Sequence, residues 1–171
     1  MHLLNKVKGH FHQDLTDPTD LQALRLAVED IKLKLTNQHQ ADLNIDFHSL
    51  KGAKNVPKSG HFSYTVTRKE FEGINMDLFK KTLEPIETIL HSIDLPAEWV
   101  DEIVLVGGST RIPKIRELIA EYFEKIPNTS VDPELAVASG VAIQAGIIGG
   151  MWPLTVSATE LPSQVQKIHL R

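Results

Sequence analysis

Five consecutive residues, Gly107-Gly108-Ser109-Thr110-Arg111, combine types that could cradle a nucleoside. They follow the unbroken apolar run Ile103-Val104-Leu105-Val106 and precede a helical stripe that opens near Pro113. Two glycines behind a strand admit positive φ and let a flat ligand lie against bare backbone. The helix N-terminus beyond them offers free backbone donors. The planar guanidinium of Arg111 can stack on a heterocycle. An adenine or ribose slot fits these parts. An ordinary tight turn between strand and helix, with Arg111 facing solvent, fits them equally well. The segment is neither a phosphate loop of the form G-x-x-x-x-G-K-[ST] nor a G-x-G-x-x-G dinucleotide fingerprint.

Other candidates are weaker. Glu29, Lys32 and Thr36 share one strip of a helix and could hydrogen-bond a polar ligand; the same spacing also makes a surface ion pair worth a few tenths of a kcal/mol. The chain has 8 His, but His10 and His12, two apart, point to different faces of a helix, and there is no H-E-x-x-H. No metal ligand set and no catalytic nucleophile are expected: no serine or histidine sits in a nucleophile-elbow pattern. With 0 Cys, disulfides, zinc-thiolate sites and cysteine nucleophiles are excluded. Asn128-Thr129-Ser130 is an N-glycosylation sequon, meaningful only in the secretory pathway and otherwise a chance loop sequence.

The 171 residues carry 18 Lys+Arg against 22 Asp+Glu, a formal net charge of -4, with 42% hydrophobic and 23% charged residues. This is a globular composition, long enough for one domain or two small subdomains. The mild acidity argues against a nucleic-acid partner, which would require a basic face. Leu135–Gly150 is the most apolar stretch, but it holds Ser139 and Gln144 and is short for a bilayer span; it reads as a buried helix, so no membrane insertion is expected. Met1 to Lys8 lacks the apolar core of a signal peptide.

The elements that would position these residues can be read from periodicity. Residues 2–12 are weakly helical, and Asp14 to Asp20 reads as a turn ending in a helix cap. Leu21, Leu24, Val28, Ile31 and Leu35 form one stripe of a helix over 20–36, with Leu26 and Leu33 on its far side. Alternation predicts strands over 42–50 and 61–67, joined by a mobile, basic tip at Lys51–Gly60. Residues 68–93 are helical, with Phe71, Ile74, Leu78, Phe79, Leu83, Ile86 and Leu90 on the apolar side; Pro85 must kink the segment or open a second helix. Pro96–Trp99 is a connection anchored by Trp99. Ile103–Val106 reads as a strand buried on both faces. Ser109-Thr110 would cap a helix carrying Ile115, Leu118, Ile119, Tyr122 and Phe123. A last helix, 133–147, has small residues (Ala136, Ala138, Gly140, Ala142, Ala145) that would let it press against a sheet. The tail from Gly149 looks irregular. No second continuous apolar strand exists to pair with Val104, which suggests part of a larger α/β domain.

Long motifs then agree in order. Asp101-Glu102-Ile103-Val104-Leu105-Val106-Gly107-Gly108-Ser109-Thr110-Arg111-Ile112-Pro113-Lys114 and Asp132-Pro133-Glu134-Leu135-Ala136-Val137-Ala138-Ser139-Gly140-Val141-Ala142-Ile143-Gln144-Ala145 resemble the C-terminal signature of the seventy-kilodalton heat-shock (HSP70) chaperone ATPases. Thr67-Arg68 through Phe71, Asn75-Met76-Asp77-Leu78-Phe79 and Glu29-Asp30-Ile31-Lys32 are similar to the same family. The ending, Gly146–Gly150 and Trp152-Pro153-Leu154, resembles a divergent microsome-associated branch without a peptide-binding domain. The resemblance implies an α/β, partial actin-like ATPase fold. Residues 1–98 would form the outer subdomain of the second lobe, 99–150 the end of its sheet subdomain, and 151–171 an irregular tail.

Carried onto this sequence, the resemblance implies an adenosine pocket lined by Gly107, Gly108, Ser109, Arg111 and Ile112. Glu29, Lys32 and Thr36 would close it, and Glu134 would lie near the ribose. Leu33 stands where a second stacking arginine is usual, and Glu134 where an aspartate is usual. The implied cofactor is ATP or ADP, with Mg²⁺ only if a missing lobe completes the site. No Asp-Leu-Gly-Gly-Gly-Thr-like phosphate loop occurs in the chain, so no turnover is expected from it alone. The alternative is a non-catalytic module whose outer subdomain binds nucleotide-exchange factors or other chaperone partners. The resemblance places the chain in the endoplasmic reticulum lumen.

Overall fold

The computed structural model describes residues 2–50 and 60–150; the basic tip at 51–59 and the tail at 151–171 lie outside the described residues. The α/β class holds. Helices α1 (His2–Phe11) and α2 (Pro18–Asn37) precede an antiparallel pair, β1 (Gln40–Asp46) and β2 (His61–Thr67). Helices α3 (Arg68–Lys80), α4 (Glu84–Ser92), α5 (Pro113–Phe123) and α6 (Ala136–Ile148) follow, with short 3₁₀ turns at Ala97–Trp99 and Gly108–Arg111.

Local chemistry explains most of the boundaries. Asp17 caps α2 by accepting the Asp20 backbone N–H, and Pro18 occupies the first turn, where its missing donor costs nothing. Thr67 caps α3 in the same way through Glu70 N–H. Pro85 opens a second helix rather than kinking one: α3 stops at Lys80, and α4 starts with Pro85 in its first turn.

Two cores result. In the first, Leu24, Ile31 and Leu35 of α2 meet Val7 and Phe11 of α1 and the inward-facing Ala41, Leu43, Phe62 and Val66 of the hairpin. Phe11, Phe47 and Phe62 lie 6.1–6.3 Å apart, centroid to centroid, within the range of favourable aromatic pairs. In the second, Phe79 of α3 packs with Leu105 and with Ile115, Ile119 and Phe123 of α5. Phe71 touches both cores.

Strand β1 ends at Asp46, not at residue 50, and the reason is a buried carboxylate. Asp20, 2% exposed, accepts hydrogen bonds from His48 N–H (3.1 Å), Ser49 N–H (2.8 Å) and Ser49 Oγ–H (2.6 Å). These donors bend the chain after Phe47 back onto α2, so it cannot continue the ladder.

Other expectations fail where a non-local partner decides. Trp99 anchors nothing; it is 69% exposed. Residues 103–106 form no strand, only a parallel bridge between Val104 and Asn128, and Val104 and Val106 stay exposed while Leu105 is buried. A run built for neighbours on both edges finds one bridging residue among the described ones. Ser109 and Thr110 do not cap α5: its N-cap is Ile112, without a side-chain hydrogen bond, because the 3₁₀ turn delays the helix to Pro113. The last helix starts at Ala136 rather than 133, since Asp132 takes up the Glu134 and Leu135 amides in a preceding turn. It presses against no sheet and buries none of its residues. On α3, Ile74 and Leu78 are exposed as well.

Burial alone would raise the Asp20 pKa, but the Ser49 hydroxyl and amide and the His48 amide outweigh it and hold the carboxyl below its ordinary range. A depressed folded-state pKa adds stability above the unfolded value of about 4 and loses it as pH falls further. Asp20→Ala should cost about 2 kcal/mol in urea denaturation at pH 7, the penalty for buried donors left unpaired. Asp20→Asn should flatten the stability profile between about pH 5 and pH 2; an unchanged acid limb would contradict the clamp.

Candidate functional site

The glycine pair sits where only glycine fits well. Gly107 has φ 93° and ψ 145°, a region essentially closed to other residues. Its N–H donates to Pro133 O at 2.6 Å, and its carbonyl accepts from Thr110 N–H (3.0 Å) and Thr110 Oγ–H (2.7 Å). A side chain on Gly107 would point into open space, so the bare backbone here faces outward. Gly108 begins the 3₁₀ turn, and a Cβ there would come within 3.0 Å of Glu134 Oε1.

Arg111 closes this turn. Its Nη2 lies 3.0 Å from both Asp132 carboxylate oxygens and 3.3 Å from Glu134 Oε2. All three contacts converge on Nη2, so they hold one corner of the guanidinium and leave both of its faces open. Asp132 also accepts the Glu134 and Leu135 backbone N–H groups at 2.9 and 3.3 Å. Its carboxyl is therefore held below the ordinary range, first by the Glu134 amide and then by Arg111. Gly107, Gly108, Arg111 and Glu134 thus form one cluster. Ser109 lies in the same turn, exposed, with its carbonyl accepting Ile112 N–H at 3.2 Å.

The second group comes from α2. Lys32 Nζ pairs with Glu29 Oε1 at 2.5 Å, both half-exposed. Lys32 and Thr36 line a narrow seam with Ile112 and Pro113 across from them. Ile112 is therefore the residue through which the turn meets α2; Glu29 reaches that seam only through its ion pair with Lys32. No contact joins Glu29 to the Arg111 cluster.

Two participants escape a reading of the sequence. Asp132 reads as a helix opener, yet it is the partner that orients Arg111; an Asp-Pro-Glu cap gives no sign of a residue twenty-one positions earlier. Arg68 donates from Nε to Leu35 O (2.8 Å) and from Nη2 to Thr36 O (3.1 Å). It satisfies orphan carbonyls at the end of α2 and fixes Thr36 in the seam.

Among the described residues no three His, Asp or Glu gather to hold a metal ion, and no helix is long and apolar enough to cross a membrane. The residues fit a nucleoside in three respects: outward-facing glycine backbone, a guanidinium held at Nη2 with its faces open, and a carboxylate beside Gly108. In an NMR titration the Asp132 carboxyl should protonate below the usual aspartate value. Arg111→Ala should move it upward but not all the way, because the Glu134 and Leu135 amides remain; an unmoved value would show that Arg111 does not hold it.

The family model described as "Hsp70 protein" matches residues 1–161. Heat shock 70 kDa protein 13 of mouse is 43% identical over 180 residues, covering 85% of this chain and 38% of that protein. The human protein of that name is 42% identical over the same coverage, and the bovine one 54% identical over 116 residues, 68% of this chain and 25% of the relative. The chain therefore spans about 38% of the length of the first of these relatives. Its mixed α/β structure agrees with a part of the family's actin-like ATPase unit. The chain belongs to the HSP70 family.

Proposed function

We propose that the chain supplies the adenosine-binding half of an HSP70-type ATPase cleft and does not turn over ATP alone. The observation that carries this reading is the Arg111 guanidinium, held at Nη2 by Asp132 and Glu134 with its faces free, beside the outward-facing Gly107-Gly108 backbone. The base would stack on Arg111, the glycine backbone would approach the sugar, and Lys32 and Thr36 would close the slot from α2. Glu134, longer than the usual aspartate, would reach the ribose only by loosening its contact to Arg111.

Phosphoryl transfer depends on groups that neutralise and position the phosphates. This chain's sequence contains no phosphate-loop run, and both cations of the proposed slot are already paired, Lys32 with Glu29 and Arg111 with Asp132 and Glu134. Bound Mg²⁺ would supply charge neutralisation on the phosphates once further residues completed the cleft. On the same reading, 1–98 is the outer subdomain and 99–150 the end of the sheet subdomain, and the chain works in the endoplasmic reticulum lumen.

A second reading has its own support. Helix α6 carries no charged residue and leaves Val137 and Val141 about two-thirds exposed, and Val104 and Val106 are half-exposed beside an incomplete sheet. Such a surface suits a non-catalytic module that docks on chaperone partners, with the outer subdomain free for exchange factors.

Calorimetric titration separates the two readings. Adenosine, ADP and ATP should bind weakly, with dissociation constants within about threefold of one another, because the half-site grips base and sugar alone; a threefold ratio is only about 0.7 kcal/mol. Added Mg²⁺ should change nothing, phosphate release should stay at the protein-free rate, and Arg111→Ala should weaken binding about tenfold, in keeping with loss of a stacked cation. Turnover that Arg111→Ala abolishes would overturn the half-site reading. Absence of binding by adenosine, ADP and ATP alike would leave the docking module.

A further inference from the structure

Asn128-Thr129-Ser130 was left open by the sequence, and the structure gives it a definite geometry. Asn128 Oδ1 accepts both the Ser130 backbone N–H (2.8 Å) and the Ser130 hydroxyl (2.7 Å). The carboxamide oxygen is thus held by the hydroxyl residue of its own sequon, in an Asx turn. The amide nitrogen faces the other way, toward Glu102 Oε1 at 2.5 Å. Asn128 N–H donates to Ile103 O at 2.7 Å, so the residue lies at the border of the Ile103–Val106 segment. Thr129 and Ser130 are exposed, and nearby Ile126 is 94% exposed.

We propose that Asn128 is an N-glycan acceptor, modified from a lipid-pyrophosphate-linked oligosaccharide. The Asn128 Nδ2 bonds to the anomeric carbon of the sugar and gives up one proton, which passes to solvent through a base of the transferring enzyme. The anomeric carbon–oxygen bond to the pyrophosphate breaks, and the lipid pyrophosphate leaves with the electron pair; nothing is oxidised or reduced. The folded loop accommodates the product. Both bonds to Oδ1 survive, because the oxygen is not modified. Nδ2 keeps one N–H, which still serves Glu102. The glycan extends over a border where Ile126 and Val131 expose apolar surface and where a second chain could otherwise add a strand, as exposed edges invite. The inference rests on the proposed lumenal location, so its test must separate the two.

The full chain is expressed in human cells behind a cleavable secretory leader, with an acceptor tripeptide appended after Arg171 to report entry into the lumen. The expected result is two glycans, both removed by an amidase specific for N-glycans, and one glycan in Asn128→Gln and in Ser130→Ala. Ser130→Thr, which keeps the hydroxyl, should retain both. A single glycan on the unsubstituted chain, carried by the appended tripeptide, would overturn the acceptor proposal. In parallel the chain is isolated from its natural source and the 125–131 peptide is weighed by mass spectrometry. A glycan there supports acceptor and location together; a bare peptide, with Asn128 modified in the leader experiment, overturns the location and leaves the acceptor geometry supported.

Discussion

One carboxylate holds the candidate site together. Asp132 accepts the edge of Arg111 and the amides of Glu134 and Leu135, and so joins two turns that local sequence would leave independent. Without it, Arg111 would be a long, flexible cation on a 3₁₀ turn, with rotamer entropy to lose on every encounter with a ligand. With it, the end of the side chain is held in advance at Nη2, and the Gly107 N–H contact to Pro133 O draws the glycine backbone to the same place. Charge contributes little to stability at so exposed a pair; its effect is on orientation.

The second constraint is incompleteness. In the first core, where α1 and α2 pack on the hairpin, the aromatic residues bury one another and Asp20 pins the exit from β1. The second core is half-built. Leu105 turns inward, while Val104, Val106 and much of α6, including Val137 and Val141, remain exposed. This uncharged helix of thirteen residues has none fully buried among the described residues, although its apolar composition suits packing against a sheet. The matched relatives, more than twice as long as this chain, have residues that could cover it.

How far the sequence discloses this structure depends on the range of the interaction that decides each element. Leu24, Ile31 and Leu35, the alternation at Leu43 and Phe62, and Pro85 act within a turn or a neighbouring strand, and each lands where periodicity puts it. The end of β1 is set by Asp20, twenty-eight residues from its acceptor contact with His48, and no local pattern reports that. Ile103–Val106 reads as a strand because its residues suit one, but strand formation is a property of pairs, and its partners are not at hand. The glycine turn and Arg111 are legible as chemistry-bearing types, and the family resemblance implies a nucleoside-binding role for them. Asp132 and Arg68 are not, because caps and orienting partners look like ordinary polar residues until the fold brings them in.

The central claim is that this chain recognises the nucleoside and not its phosphates. Backbone amide spectra recorded with adenosine and then with Mg-ATP test it most directly. The account predicts that both ligands perturb the same set, Gly107, Gly108, Ile112, Lys32 and Thr36, with no further amides responding to the triphosphate. Perturbations peculiar to Mg-ATP, or a bound adenosine that leaves Gly107 and Gly108 unmoved, would contradict it.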